Sequence, residues 1–329
     1  MVSISIEELK LDLKFSWKIS RGSTDFKNNF LIKITDGLNS GLGEVAPNIR
    51  YGETQGLIKK QFGEINIESF NILKSLDGFN EWLNSKEICN SLRFGIESAF
   101  IHFYCDKNKI NFFDLLNIQI PVPTNTAFSL PIMEVNEMLK FYKEFNLNRF
   151  KFLKIKVDKK NAFEAIKTIS GFTHKPLMID ANEAWDNVDD LLNIFEKLKK
   201  FNILFIEQPL PSIMKDEYKF LFKNSPFEII GDESITDKPD FEELKTMFHG
   251  VNMKLMKAGG YQNGINIIKE CIKNNMKPMI GCMVESSLGI SSALKLSYSV
   301  PYIDLDSFLY IKNEPYQLIN EELGVISKK

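Results

Sequence analysis

Three short apolar runs each end in a carboxylate: LMID at 177–180 in Asp180, LFIE at 204–207 in Glu207 and EIIGD at 228–232 in Asp232. If the runs are neighbouring strands, the three acids meet at one end of a sheet, and their mutual repulsion calls for a cation. An all-oxygen set without histidine suits Mg²⁺ or Mn²⁺ rather than Zn²⁺. The blander alternative makes each acid the cap of a following helix, and three acids in register argue against it. Lysines oppose this cluster. Lys154 and Lys156 stand at i and i+2 in FLKIKV (152–157), so both point to one face. Burying two ammonium groups under covering helices is costly, which leaves the mouth of a closed sheet as their destination. Lys254 ends VNMK at 251–254. With a substrate carboxylate on the metal and one lysine on each side, an α-proton can leave one face and return on the other, through a metal-stabilised enediolate. Lys156 and Lys154 lie roughly 6–7 Å apart along the strand. At an effective dielectric of about 20 their repulsion is ~2.5 kcal/mol, which favours the neutral amine a base needs.

The elements that would carry these groups recur from about Thr124. Apolar runs appear at 124–129, 152–157, 177–180, 204–207, 228–232, 251–254, 278–281 and 302–306. Amphipathic stretches such as Val135–Phe145, Asp189–Phe201 and Ile265–Asn275 fill gaps between them. Eight strand–helix units at this spacing predict a (β/α) barrel, whose active face is at the strand C-terminal ends. A doubly wound open sheet is the alternative, and it needs no eighth unit. Earlier residues read as strands (Ile4–Ile19, Asn29–Ile34), a hairpin over Asp36–Pro47 and then helix, including Ile88–Tyr104. That order suggests a small α+β unit.

Composition excludes several classes. Lys+Arg 41 against Asp+Glu 43 gives a net charge of -2, which points away from nucleic acid and membrane surfaces. No apolar run approaches the ~20 residues of a membrane span. Four scattered cysteines without a C-x-x-C pair, and the lack of a secretory leader pattern, predict a cytoplasmic protein. With only three histidines, the chemistry must use carboxylates, lysines or hydroxyls.

The sequence resembles the enolase superfamily, muconate-lactonising subgroup, at K-I-K 154–156, I-D-A-N 179–182, I-E-Q-P 206–209, G-D-E-S 231–234 and N-M-K-L-M-K-A-G-G 252–260. The resemblance implies a modified (β/α)7β barrel over 124–315 with an α+β capping domain over 1–123. The tail at about 316–329 would return to the cap. It implies Mg²⁺ on Asp180, Glu207 and Asp232, and Lys156 and Lys254 as the acid/base pair. Lys154 would tune Lys156 and bind the substrate carboxylate. Lys257 is the weaker candidate on its segment. Loops near Lys18–Phe26 and Asn48–Thr54 would close over the site.

Asp304 and Asp306, in the D-L-D that ends the eighth run, look like the ammonium-binding pair of dipeptide epimerases. The resemblance thus implies epimerisation of the C-terminal residue of a dipeptide, with Ala-Glu from peptidoglycan turnover the first choice. Arg21, in the first loop, would pair with a side-chain carboxylate of the substrate. Glu285, in GCMVES, is a further candidate contact, and Asn182, Gln208 and Glu233 are supporting groups. A cycloisomerase or dehydrating lyase on the same scaffold, or a non-catalytic binding barrel, is the competing reading. A homo-oligomer is compatible with any of these.

Overall fold

The computed structural model describes residues 2–65 and 75–329. The chain opens as an antiparallel sheet of β1 (Ser3–Ile19), β2 (Gly22–Thr35) and β3 (Ser40–Val45), in that order. Between β2 and β3, Asp36 Oδ1 accepts from Leu38 N and Asn39 N at 3.1 and 2.9 Å. This local bonding is why Asp-Gly makes the turn. Pairing of β1 with β2 is regular to Asp12–Phe26 and resumes at Trp17–Thr24, so residues 13–16 oppose residue 25 alone. The bulge leaves Leu13 to bridge Ile311 and Lys14 Nζ to donate to Leu309 O at 2.8 Å.

Alternation gives the sheet two apolar faces. Phe30, Ile32 and Ile34 pack on the helix Asn90–Asn108, while Leu11 and Leu13 join the barrel core. A Cβ on Gly43 would lie 2.0 Å from Gly95 O, so only glycine lets β3 lie this close to the helix backbone. Glu44 on β3 crosses to the barrel. It accepts from Asn29 Nδ2 at 2.8 Å, Ser286 N at 3.0 Å and Gly289 N at 3.0 Å, in the first turn of the helix Ser287–Leu294. Burial pushes its carboxyl up despite these donors.

After β4 (Thr124–Asn125) come eight parallel strands, neighbours in chain order: β5 (Ala127–Leu130), β6 (Phe152–Lys156), β7 (Leu177–Asp180), β8 (Ile203–Glu207), β9 (Ile229–Gly231), β10 (Gly250–Met253), β11 (Lys277–Gly281) and β12 (Tyr302–Asp304). The expected runs are all present. Side chains close the seam between β12 and β5. Ser129 N donates to Asp306 Oδ2 at 2.6 Å, Ser129 Oγ to Asp304 Oδ1 at 3.0 Å and Leu305 N to Thr126 Oγ1 at 2.9 Å. Ala127, Met178, Phe205, Ile230 and Met279 form an inner apolar layer. Two residues further along their strands come Ser129, Asp180, Glu207, Asp232 and Gly281, as the period of two requires.

Two boundaries differ from expectation. The run at 124–129 splits: Thr124–Asn125 joins a separate sheet with the tail strands β13 (Ile319–Glu322) and β14 (Val325–Lys328). Asp306 lies beyond β12, at the start of the 3-10 turn Ser307–Tyr310, because the seam bond from Ser129 N turns it inward. The expected helices appear as Val135–Glu144, Val188–Leu198 and Tyr261–Lys273. Among the described residues no helix is long and apolar enough to cross a membrane.

A buried ammonium sits where the helix Asn90–Asn108 meets the barrel. Lys295 Nζ lies 2.6 Å from His102 Nε2 and 4.6 Å from the Phe112 ring centre. Among the described residues no carboxylate pairs with it. Burial and the Lys328 charge pull its pKa down to about 7, and burial with the Lys295 charge pulls His102 down to about 3. Between pH 7 and 10.5 the unfolded chain therefore holds a proton here that the folded chain does not, so stability rises with pH in that window and the cost is full below it. Lys295→Met should gain about 2 kcal/mol at pH 6 and flatten the rise toward pH 10, after allowance for the hydrogen bond lost at His102. Urea unfolding of both proteins at pH 6 and pH 9 checks this; a variant less stable at pH 6 contradicts it.

Candidate active site

A cavity of about 500 Å³ lies between the cap sheet and the barrel mouth. Its barrel wall includes Lys154, Lys156, Asp232, Lys254, Asp304 and Asp306. Its cap wall includes Trp17, Ile19, Arg21, Lys27, Arg50 and Tyr51. Lys156 on β6 and Lys254 just after β10 lie four strands apart in an eight-stranded ring, which puts them on opposite sides.

Register places the acids. Asp180 is opposite Lys156 on one side and Glu207 on the other. Lys154 Nζ contacts Asp304 Oδ2 at 2.7 Å, Glu207 Oε2 at 2.8 Å and Asp180 Oδ2 at 3.0 Å. Burial opposes its charge, but the three carboxylates outweigh burial and hold its pKa well above the usual lysine range. Lys156 Nζ takes the same Asp180 oxygen at 2.5 Å and lies 5.8 Å from the Trp17 ring centre. On the other side, Asp232 Oδ2 accepts from Lys254 at 2.8 Å, and Asp232 Oδ1 from Lys257 at 2.5 Å. Lys257 also reaches Asp232 O and Asn252 O, so it anchors Asp232 rather than lining the cavity. Burial pushes Glu207 up to about 7, with Asp180 adding to the effect.

The acids fit a hard cation in kind and in the order of the strands that carry them. All their donors are oxygens, and they stand at the ends of consecutive strands. Glu207 Oε2 is buried and out of line for a hydrogen bond with Lys154. Glu207 Oε1 is held by Asn252 Nδ2 at 2.9 Å. That amide fits because Gly281 has no side chain: a Cβ there would lie 2.5 Å from Asn252 Oδ1. Among the described residues no three acidic, imidazole or thiol groups lie close enough to hold an ion as they stand. In this arrangement the lysine ammoniums supply the positive charge the acids require.

Beyond Asp180 and Glu207 the backbone turns left-handed at Asn182, Glu183 and Gln208, with φ of 44°, 64° and 37°. Such angles are costly outside glycine and cluster where structure serves a site. Here they aim Asn182 O at the cap, where Ser20 Oγ and Arg21 Nη1 donate to it, each at 2.8 Å. Gln208 Oε1 in turn accepts from Asp232 N at 2.8 Å.

Asp304 and Asp306 both face the cavity. Burial and the Asp304 charge push Asp306 up, although Tyr310 OH and Ser129 N donate to it. Arg21 reaches the cavity too, but its Nη1 pairs with Glu233 Oε1 at 2.8 Å and Glu183 Oε2 at 3.3 Å. Glu285 is buried and absent from the cavity wall. Its Oε1 turns back to accept from Met283 N at 2.8 Å, and burial beside Glu44 pushes it up to about 8. Trp17, Lys27 and Ser129 were not singled out by sequence, whereas Arg50 and Tyr51 lie in the Asn48–Thr54 loop expected over the site. Only Ser129, in register with Lys154, had a signal that strand pairing could have exposed.

A family model described as Enolase C-terminal domain-like matches residues 137–325. The chain belongs to that family. A relative from Maribacter sp., an L-Ala-D/L-amino acid epimerase, is 30% identical over 95% of this chain and 92% of its own length. A Flavobacterium johnsoniae protein of the same name is 28% identical, covering 99% and 96%. Among solved structures, a Cytophaga hutchinsonii dipeptide epimerase complexed with Mg and the dipeptide D-Ala-L-Val matches with a TM-score of 0.87. It is 21% identical over 99% of this chain and 92% of that one.

Proposed function

We propose that the protein is a dipeptide epimerase that inverts the C-terminal residue of a dipeptide, with L-Ala-L-Glu to L-Ala-D-Glu as the reference reaction. The observation that carries this is a single cavity holding both the opposed Lys156 and Lys254 and the acidic pair Asp304 and Asp306. The pair receives the substrate's α-ammonium, a buried cation on buried carboxylates. Lys154 faces the substrate carboxylate. Lys156 takes the α-proton from one face and Lys254 returns one to the other, or the reverse. Trp17 and Tyr310 stack with ring centres 4.9 Å apart, and both line this cavity. Mg²⁺ on Asp180, Glu207 and Asp232 would offset the negative charge that builds on the substrate carboxylate. The relatives' names and the Mg in the Cytophaga complex support this reading. The same reading divides the chain into a capping domain at 1–123 and a catalytic barrel at 124–315, and places it in the cytoplasm, in peptidoglycan turnover.

The test removes the ammonium. N-acetylated Ala-Glu should be a poor substrate, and Asp306→Asn should weaken binding of the free dipeptide by ~2–5 kcal/mol. Competition assays with both forms measure it. Equal turnover of free and N-acetylated Ala-Glu favours a cycloisomerase or acyl-amino-acid reading instead.

A further inference from the structure

Lys27 is the cavity's unbalanced charge. The cavity-lining Lys154, Lys156 and Lys254 all touch carboxylates. The two cap arginines are also balanced: Arg21 pairs with Glu233 and Glu183, and Arg50 lies 2.8 Å from Glu183 through both Nε and Nη2. Lys27 lines the same cavity with no ion-pair partner among the described residues.

Its place in the sheet explains this. Lys27 is opposite Leu11 in the β1–β2 register, and Leu11 packs in the barrel core. Asn29, two residues on and therefore on the same face, donates to Val284 O at 2.9 Å. Lys27 thus stands on the barrel-facing side of the cap, at the point where the β1 bulge begins. Trp17, Ile19 and Thr24 line the cavity with it. Burial pulls its pKa down, with no neighbouring charge to offset the effect. A half-buried ammonium with no counter-ion gains more from an incoming carboxylate than a paired guanidinium does, because the pair must first be broken.

We propose that Lys27 receives the side-chain carboxylate of the substrate's C-terminal residue, and that it makes the enzyme select acidic over neutral side chains. This rests on the dipeptide-epimerase reading above and replaces Arg21 as the group that reads the distal carboxylate. Arg21 instead ties the cap to Asn182, Glu183 and Glu233 and so closes the cavity.

The experiment measures kcat/KM for L-Ala-L-Glu and for its uncharged isostere L-Ala-L-Gln with the Mg²⁺-loaded full chain. Wild type should prefer Ala-Glu. Lys27→Met should lower the Glu/Gln ratio by ~30-fold or more, Lys27→Arg should keep most of the preference, and Lys27→Glu should shift it toward L-Ala-L-Lys. Circular dichroism and melting of each variant confirm folding. A ratio unchanged by Lys27→Met, or one that collapses in Arg21→Gln but not in Lys27→Met, overturns the proposal and leaves the epimerase reading standing. No turnover of any Ala-Xaa dipeptide by wild type overturns both.

Discussion

Lys254→Ala should lose epimerisation by ~10²–10⁴-fold, the scale of removing a positioned acid/base, yet still exchange the α-proton of one epimer with D₂O. The asymmetry follows from the ring. Lys156 and Lys254 lie four strands apart, so each reaches one face of a substrate held between them. With Lys254 gone, Lys156 can remove and return a proton on its own face, which exchanges the hydrogen without inverting the centre. Lys156→Ala should exchange the other epimer. The measurement is loss of the α-proton NMR signal for L-Ala-L-Glu and L-Ala-D-Glu separately, in each variant. Exchange of the same epimer by both variants, or brisk inversion by either, contradicts the two-lysine assignment. Lys257→Ala is the informative control. Its ammonium bonds Asp232 and is absent from the cavity wall, so its loss should weaken metal affinity and leave the stereochemistry of exchange intact.

Removal of divalent cations abolishes turnover altogether, and Mg²⁺ or Mn²⁺ restores it. Three carboxylates at adjacent strand ends, with only oxygen donors, have no use for softer metals. A second readout does not depend on turnover. A cation bound to the folded chain alone adds about 2.7 kcal/mol of stability at 100 times its Kd, so the melting temperature should rise on titration with Mg²⁺. Asp180→Asn and Asp232→Asn should each blunt that rise. Full activity in a metal-free preparation contradicts the ligand assignment.

The barrel was legible because its signals are local. An apolar run ending in a carboxylate needs no partner to be recognised, and the i, i+2 lysines on β6 follow from strand geometry alone. Asp304 and Asp306 were legible as a pair, although the seam bond from Ser129 that turns Asp306 inward joins residues 177 apart in sequence. The cap wall was not legible. Whether Arg21 is free or engaged depends on how far the β1–β2 tip lies from Asn182 and Glu183, 161 and 162 residues away. The reach of Lys27 into the cavity follows only once its opposite number Leu11 is placed in the barrel core, a contact between distant parts of the chain that strand periodicity alone does not reveal. Glu285 looked like a contact because it follows a barrel strand. Its side chain turns back because Met283 N supplies a donor two residues away.

The Glu44 bond to the helix at Ser287 has a consequence for how the chain is made. Glu44 and Ser286 are 242 residues apart. At ~5–20 residues per second, a ribosome needs roughly 10–50 s to travel that distance. During that interval the first sheet has no barrel helix to cap, and its Leu11–Leu13 face has no core to enter. Non-local closure of this kind slows folding and exposes apolar strand edges. A barrel synthesised from residue 124 onward would meet the complementary defect: the first turn of its Ser287–Leu294 helix would lack the Glu44 acceptor. Refolding from urea should therefore be slow and concentration-sensitive, and supplying residues 1–123 as a separate chain should rescue the barrel only by intermolecular assembly.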